Sequence, residues 1–421
     1  MQQDGFLDLG RFMNDVSLMT EVGVKKDSRQ LSERTIVFLV AAIASFPALS
    51  TDLYLPALPS MSEQLHCSVL LVNLSLSVFF IFISISSLFW GPLSDKYGRK
   101  PILLVGVPLY VLSSVFCMLS QNVFQLIAAR IFQAIGAGAA MAVSMAIVKD
   151  VYPGKKREKT LAMVMVLNGA IPILAPIMGA YILKLTSWRG SFGLLTLTGS
   201  LVCVFTLFLK ETISERSSLS ILHTTFRLWT VLKNPGFYRL ILSFSFVSIP
   251  LLAFISASSF IFIQQLGLSE EVYSFYFAGT AMFFVVGSTS YLFLHKFLKP
   301  LSIITMCLFG SLLSGVLILA IGQSGPTLFA LSMACGYMFV SISRPPSSSL
   351  LLEQQDKDTG SASSLIQSTF LLTGSVGMLV ISLDWSNRIM VLGIMSLVLN
   401  LCGLVLWFFT KKRCRMPKHF V

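Results

Sequence analysis

Twelve apolar runs, each about as long as a bilayer is thick, leave this chain few ways to fold. They lie at 35–58, 69–91, 101–119, 122–148, 160–183, 190–210, 237–264, 272–294, 300–321, 326–350, 359–382 and 388–410. A helix needs ~20 mostly apolar residues to cross a membrane. Backbone polar groups find no water there, so only helices and closed barrels can span it. Barrel strands run to ~10 residues and alternate in polarity, whereas these runs are longer and apolar on all sides. The predicted fold is an all-α integral membrane protein with twelve transmembrane helices. Charged residues make up 12% of the chain, about half the share of a soluble domain.

The net charge is +12, which by itself would fit a nucleic-acid partner. Its placement points elsewhere. Of 31 Lys and Arg, three (Lys184, Arg189, Arg388) fall at predicted outer loops and two (Arg130, Arg344) deep inside runs; the other 26 lie in the termini, the alternate set of loops or the run ends beside them. Such asymmetry marks the cytoplasmic side. Both termini are therefore expected inside, beside anionic lipid headgroups, and no nucleic-acid partner is expected. Residues 1–34 are polar, lack the apolar core of a cleaved signal peptide, and read as a cytoplasmic tail. The seven cysteines are scattered without metal-type spacing.

A more polar stretch at 211–236 divides the runs six and six. This predicts two six-helix bundles, 35–210 and 237–410, joined by a cytoplasmic linker and followed by a basic tail, 411–421. Two pseudo-equivalent halves are a common carrier plan. An offset of 199 residues lays Lys299-Pro300 over Lys100-Pro101 and Leu292 over Leu93, although Ser290, Leu294 and Phe297 replace Gly91, Asp95 and Gly98.

Charges inside a bilayer are costly and call for a reason. Asp52 is the only acid within an apolar run, followed by Pro56 and Pro59, which are expected to break the end of span 1. Arg130 is the clearest intramembrane cation. Asp52 lies ~17 residues, or ~25 Å, along the outward-running span 1, and Arg130 ~8 residues, or ~12 Å, below the outer end of span 4. Both fall in the outer half of the membrane, within reach of one shared cavity. Loss of hydration favours the neutral carboxyl and a nearby cation the charged one, so Arg130 is expected to set the affinity of Asp52 for protons. The alternative is a fixed structural ion pair. In span 5, Gly169, Pro172, Pro176 and Gly179 predict a kinked helix that others pack closely against. Arg344 in span 10 is expected to snorkel to the cytoplasmic interface, with substrate contact as the second reading.

Between runs 2 and 3 stands Gly91-Pro92-Leu93-Ser94-Asp95-Lys96-Tyr97-Gly98-Arg99-Lys100-Pro101. It reads as a short charged loop in which Gly91 and Gly98 allow close approach or positive φ. Asp95 and Arg99 are placed to pair, and span 4 delivers Asp150 to the same side. No enzyme constellation is present: the four histidines are far apart, and there is no phosphate-cradling loop or zinc-binding helix motif. No cofactor is expected.

This loop resembles the signature between helices 2 and 3 of the major facilitator superfamily of secondary transporters. The span 1 segment 51–59 (Thr51-Asp52-Leu53-Tyr54-Leu55-Pro56-Ala57-Leu58-Pro59), segment 130–138 and segment 174–179 are similar to those of its bicyclomycin/chloramphenicol-resistance (Bcr/CflA) branch of drug:proton antiporters. The resemblance implies a twelve-helix carrier driven by the proton gradient, exporting small, largely hydrophobic compounds across a bacterial inner membrane. It implies a proton- and substrate-responsive role for Asp52, with Arg130 as its span 4 partner. It implies a conformational latch of Gly91, Asp95, Gly98, Arg99 and Asp150, and an antiporter motif at Gly169, Pro172, Pro176 and Gly179. A carrier of one specific metabolite, or a non-transporting scaffold or sensor on the same fold, is the competing expectation.

Overall fold

The computed structural model describes residues 33–213, 221–355 and 359–413. The expected N-terminal tail, apart from its last two residues, and most of the basic C-terminal tail lie outside them. Helix α1 spans Glu33–Asp52, followed by a tight turn Leu55–Ala57 and the short α2, Leu58–Gln64. Pro56 accounts for the break, because its ring would strike the carbonyl four residues back, that of Asp52. Then come α3 (Val69–Tyr97), α4 (Arg99–Leu119), α5 (Val123–Val151), α6 (Gly154–Leu185) and α7 (Trp188–Phe208). After α8 (Ile221–Lys233) follow α9 (Pro235–Ser259), ending in a wider turn Phe260–Gln265, and α10 (Glu270–Leu294). Last come α11 (Pro300–Ile321), α12 (Pro326–Leu352), α13 (Thr359–Ile381) and α14 (Arg388–Lys411). No strand occurs among the described residues.

Twelve of these segments are long and apolar enough to cross a membrane, with α1 through α2 counting as one, Thr35–Gln64. Short polar side chains start several of them. Ser68 accepts from Leu71 N, Asn122 from Gln125 N, Ser269 from Val272 N and Asn387 from Met390 N. These caps satisfy amide groups at helix ends that have no intrahelical partner. Phe116, Leu119 and Phe124 stand more than 60% exposed, part of an apolar rim that lipid would cover.

Helices α1 and α3–α7 pack among themselves, as do α9–α14. The two halves meet where α3 lies on α13 and α6 on α10. At the α3–α13 contact Ser84 Oγ donates to the Ser368 carbonyl at 2.8 Å and Ser368 Oγ to the Ser84 carbonyl at 3.1 Å. Twelve crossings return the chain to its starting side. The loops after α3, α5, α7, α10 and α12 share that side, here called the basic end.

One expectation needs correction. The stretch 91–101 is not an open loop: α3 continues to Tyr97 and α4 begins at Arg99. Only Gly98 turns the chain, at φ +108°, while Gly91 lies inside α3 with open space where a Cβ would stand. The linker also holds a helix, α8, whose Val231 is buried. Apolar Leu228, Val231 and Leu232 at helical spacing were the signal, hidden among charged neighbours.

Candidate functional site

Asp52 sits where α1 breaks, 5% exposed. Thr51 Oγ1 donates to its Oδ1 at 3.0 Å, and no cation pairs with it among the described residues. The turn that follows it, Leu55–Ala57, packs against α9 and α10 of the second half, which holds the buried tyrosines Tyr273 and Tyr337. Tyr273 Oη is hydrogen-bonded to Ser258 Oγ at 2.9 Å, and Tyr337 Oη donates to the Leu251 carbonyl at 3.3 Å. Beyond them lies an aromatic cluster: Phe254 is stacked parallel to Phe277 at 6.0 Å, and Phe329 is 5.3 Å from Phe262. The break at the lone acid thus meets both halves, with an aromatic wall behind the tyrosines on the second-half side.

Helix α6 backs the break. A Cβ on Gly179 would stand 1.8 Å from the Leu53 carbonyl oxygen, so no larger residue fits without moving α6 or the break. Pro176 offers its carbonyl to Ser274 Oγ of α10 at 3.0 Å. A Cβ on Gly169 would meet only Val285 of α10, at ordinary contact distance. Pro172 lies one turn from Pro176 inside α6. Of the four motif residues, Gly179 and Pro176 therefore reach the Asp52 region and the second half.

Arg130 is wholly buried but does not pair with Asp52. Its Nη1 donates to the Ser50 carbonyl at 3.0 Å and to Gln133 Oε1, and its Nε to the Ser75 carbonyl at 3.4 Å. Rings surround the guanidinium: Phe79 at 4.1 Å, Tyr54 at 5.0 Å and Phe192 at 5.9 Å. Carbonyl dipoles and ring faces stabilise its charge instead of a carboxylate. The fixed ion pair, the alternative reading of the two charges, is thus absent among the described residues. Arg130 instead ties α5 to the backbone of α1 two residues before Asp52. Gln133, which donates onward to Ser114 Oγ at 2.7 Å, was not anticipated. Its position three residues after Arg130 puts it on the same helix face, a legible signal.

At the basic end, the charge cluster assembles around Arg99. Its Nε donates to Asp150 Oδ2 at 2.9 Å, and its Nη1 to Asp95 Oδ1 and Ser94 Oγ, both at 2.6 Å. Glu211 completes it. One carboxylate oxygen accepts from Arg99 N at 2.8 Å and the other from Lys100 N at 3.3 Å, capping the start of α4 where the helix dipole favours an anion. Any Cβ at Gly98 would collide with that carboxylate, so space and φ both require glycine there. Asp95, Gly98, Arg99 and Asp150 are brought together; Gly91 is not. The cluster fastens α3, α4, α5 and the exit of α7.

Asp95 is half exposed, and an exposed pair contributes up to about 1 kcal/mol. Asp95→Asn is therefore expected to shift the balance between conformations by no more than about fivefold, toward opening at the basic end. Distances between spin labels on the opposite helix ends measure this. An unchanged distribution would remove the latch role.

Arg344 does not reach outward for the interface. Half-buried, it lies over the Phe370 ring at 4.1 Å and lines a partly open cavity between α9, α11, α12 and α13. It makes no hydrogen bond or ion pair among the described residues. No group of His, Cys, Asp and Glu among them is arranged to hold a metal ion.

Comparison with known proteins follows this geometry. Residues 38–378 match the Major Facilitator Superfamily. YdgK, an uncharacterized transporter of that type from Bacillus subtilis (strain 168), is 30% identical over 394 residues, covering 90% of this chain and 96% of its own. The multidrug resistance protein MdtL of Escherichia coli O157:H7 is 28% identical over 314 residues, covering 72% of this chain and 77% of its own. Among solved structures, a D-xylose-proton symporter superposes with a TM-score of 0.72 at 14% identity, over 92% of this chain and 99% of that one. A bacterial homologue of the human lysosomal transporter Spinster, inward-facing and occupied, superposes at 0.71 with 14% identity, over 91% of this chain and 98% of that one. At these identities the two structures speak for the fold alone.

Proposed function

The chain belongs to the Major Facilitator Superfamily of membrane transporters, and we propose that it is a proton-coupled antiporter that exports small, largely hydrophobic compounds. One observation carries this reading. Asp52 is the single acid inside the apolar runs, and it is buried at the break of α1 beside both halves with, among the described residues, only a hydroxyl donating to it. A carboxyl so placed gains or loses a proton according to whether its surroundings are wet or dry. Alternating exposure of the break to the two sides makes that proton the driving cargo. The aromatic wall of Phe254, Phe277 and Phe329 suits loosely specified apolar substrates. Arg130 serves by holding the backbone at Ser50, and Gly179 by allowing α6 to lie against Leu53. The multidrug name of MdtL and the likeness of segment 51–59 to the Bcr/CflA branch support the same reading.

The decisive measurement is proton release from purified protein on addition of lipophilic compounds. Release that saturates with compound supports the antiporter, while compound binding with no proton movement would reject the coupling.

The basic end faces the cytoplasm in this proposal, with the protein in a bacterial inner membrane among anionic lipids. A cysteine introduced at Lys210 or Asn234 is expected to resist a membrane-impermeant thiol reagent added to intact cells. Labelling there would invert the topology.

A further inference from the structure

Arg344 lies eight residues before the end of α12, or ~12 Å into a membrane span at 1.5 Å per residue. A guanidinium at that depth is costly without a partner, yet the described residues give it none. Its flat face is occupied by Phe370. Stacking uses the face of the guanidinium and leaves the N–H edges free, the edges that grip a carboxylate, sulfonate or phosphate two-pronged.

A second observation points the same way. Ser347, one turn on and 7% exposed, lines the same cavity, and its Oγ has no hydrogen-bond partner. Its neighbours differ. Ser343 Oγ donates to the Val340 carbonyl at 2.8 Å and Ser245 Oγ to the Ile241 carbonyl at 2.6 Å. Ser347 alone of these three keeps its proton for something else. Buried polar groups without partners are uncommon and call for an occupant. Ser348 adds a fourth hydroxyl, and the rest of the walls, including Ile304, Leu308, Val340 and Ile366, are apolar.

We propose that this cavity, in the second half at the basic end, binds an amphipathic organic monoanion. The acidic head bridges the Arg344 N–H edge and the Ser347 hydroxyl, and the apolar body lies along Phe370 and the aliphatic wall. Two sources offer that chemistry: a free organic acid and the headgroup of an anionic lipid. The site lies apart from Asp52 and needs no proton gradient. Its failure would leave the export reading intact, and failure of that reading would leave the site intact.

The test is equilibrium binding to the full-length chain in nanodiscs of neutral phosphatidylcholine. The probes are naphthalene-2-sulfonate and its uncharged analogue, naphthalene-2-sulfonamide. The wild type is expected to bind the sulfonate more tightly. Arg344→Gln is expected to weaken the sulfonate about tenfold or more, as loss of one charge-assisted pair implies, and to leave the sulfonamide unchanged. Arg344→Lys is expected to keep part of the affinity, having charge without the planar fork, and Ser347→Ala to lose a smaller part. Repeating the titration in phosphatidylglycerol discs separates the sources. Competition seen in the wild type and absent in Arg344→Gln assigns the lipid headgroup; no competition assigns a free acid. Equal binding of the two probes, or an Arg344→Gln variant that binds the sulfonate like the wild type, would overturn the proposal. If Arg344→Gln does not fold, the Lys and Ala variants decide, and wild-type sulfonate affinity in both overturns it.

Discussion

Asp52→Asn is expected to reach the membrane folded and to lose export driven by a pH gradient, down to the level of protein-free vesicles. Asparagine has the same size and still accepts the hydrogen bond that Thr51 Oγ1 gives at 3.0 Å, so the break in α1 keeps its shape. What disappears is the only acid within the apolar runs, hence the only carboxylate deep enough there to carry a proton across. Downhill exchange of the same compounds, which moves no net proton, is expected to survive. Both rates are measured in reconstituted vesicles, with and without an imposed gradient. An unchanged dependence on the gradient for every transported compound would exclude Asp52 as the coupling site.

Arg130→Met is expected to act on the fold. Methionine fills much of the space but leaves the Ser50 carbonyl and Gln133 Oε1 without the donor they have in the wild type, and takes a second donor from the Ser75 carbonyl, which keeps its bond within α3. Each buried group so stranded costs about 1–3 kcal/mol, enough to exhaust a marginal stability. The expected result is a lower melting temperature in detergent and less folded protein in the membrane. The protein that remains is expected to keep the wild-type dependence of substrate-induced proton release on pH, since the guanidinium does not touch the Asp52 carboxylate. Lysine at 130 restores charge without the fork that reaches Ser50 and Ser75 together, so its rescue is partial. A shifted pH profile with undiminished stability would reverse this assignment and make Arg130 a tuner of the acid.

The reasons that some features were readable and others were not are physical. Span positions follow from a single length, the thickness of hydrocarbon, so the ends of α10 and α11 could be read to within two residues. The break after Asp52 was readable because proline acts locally, on the carbonyl four residues back. The bonding of Arg130 was not. Depth along a helix follows from counting, but rotation about its axis depends on packing, and rotation decided between the Asp52 carboxylate and the Ser50 carbonyl. Glu211 escaped notice for a similar reason. It caps α4 across a separation of 112 residues, and nothing near it in the chain distinguishes it from any other linker acid. Helix α8 was hard to read because its apolar residues, Leu228, Val231 and Leu232, are spread among polar and charged ones.

The paired serines between α3 and α13 bear on how fast such a molecule can turn over. Ser84 and Ser368 each donate to the other's carbonyl, at the middle of a contact that has to loosen if the halves rock. A serine hydroxyl released from that partner can bond back to a carbonyl on its own helix. Parting therefore strands nothing in the hydrocarbon. Polar contacts between membrane helices average about 0.6 kcal/mol each, so two of them slow separation by less than about tenfold. The clasp sets register between the halves without adding a high barrier. By this account the slow step of the cycle lies elsewhere, in breaking the Arg99 cluster or in the proton reaching Asp52.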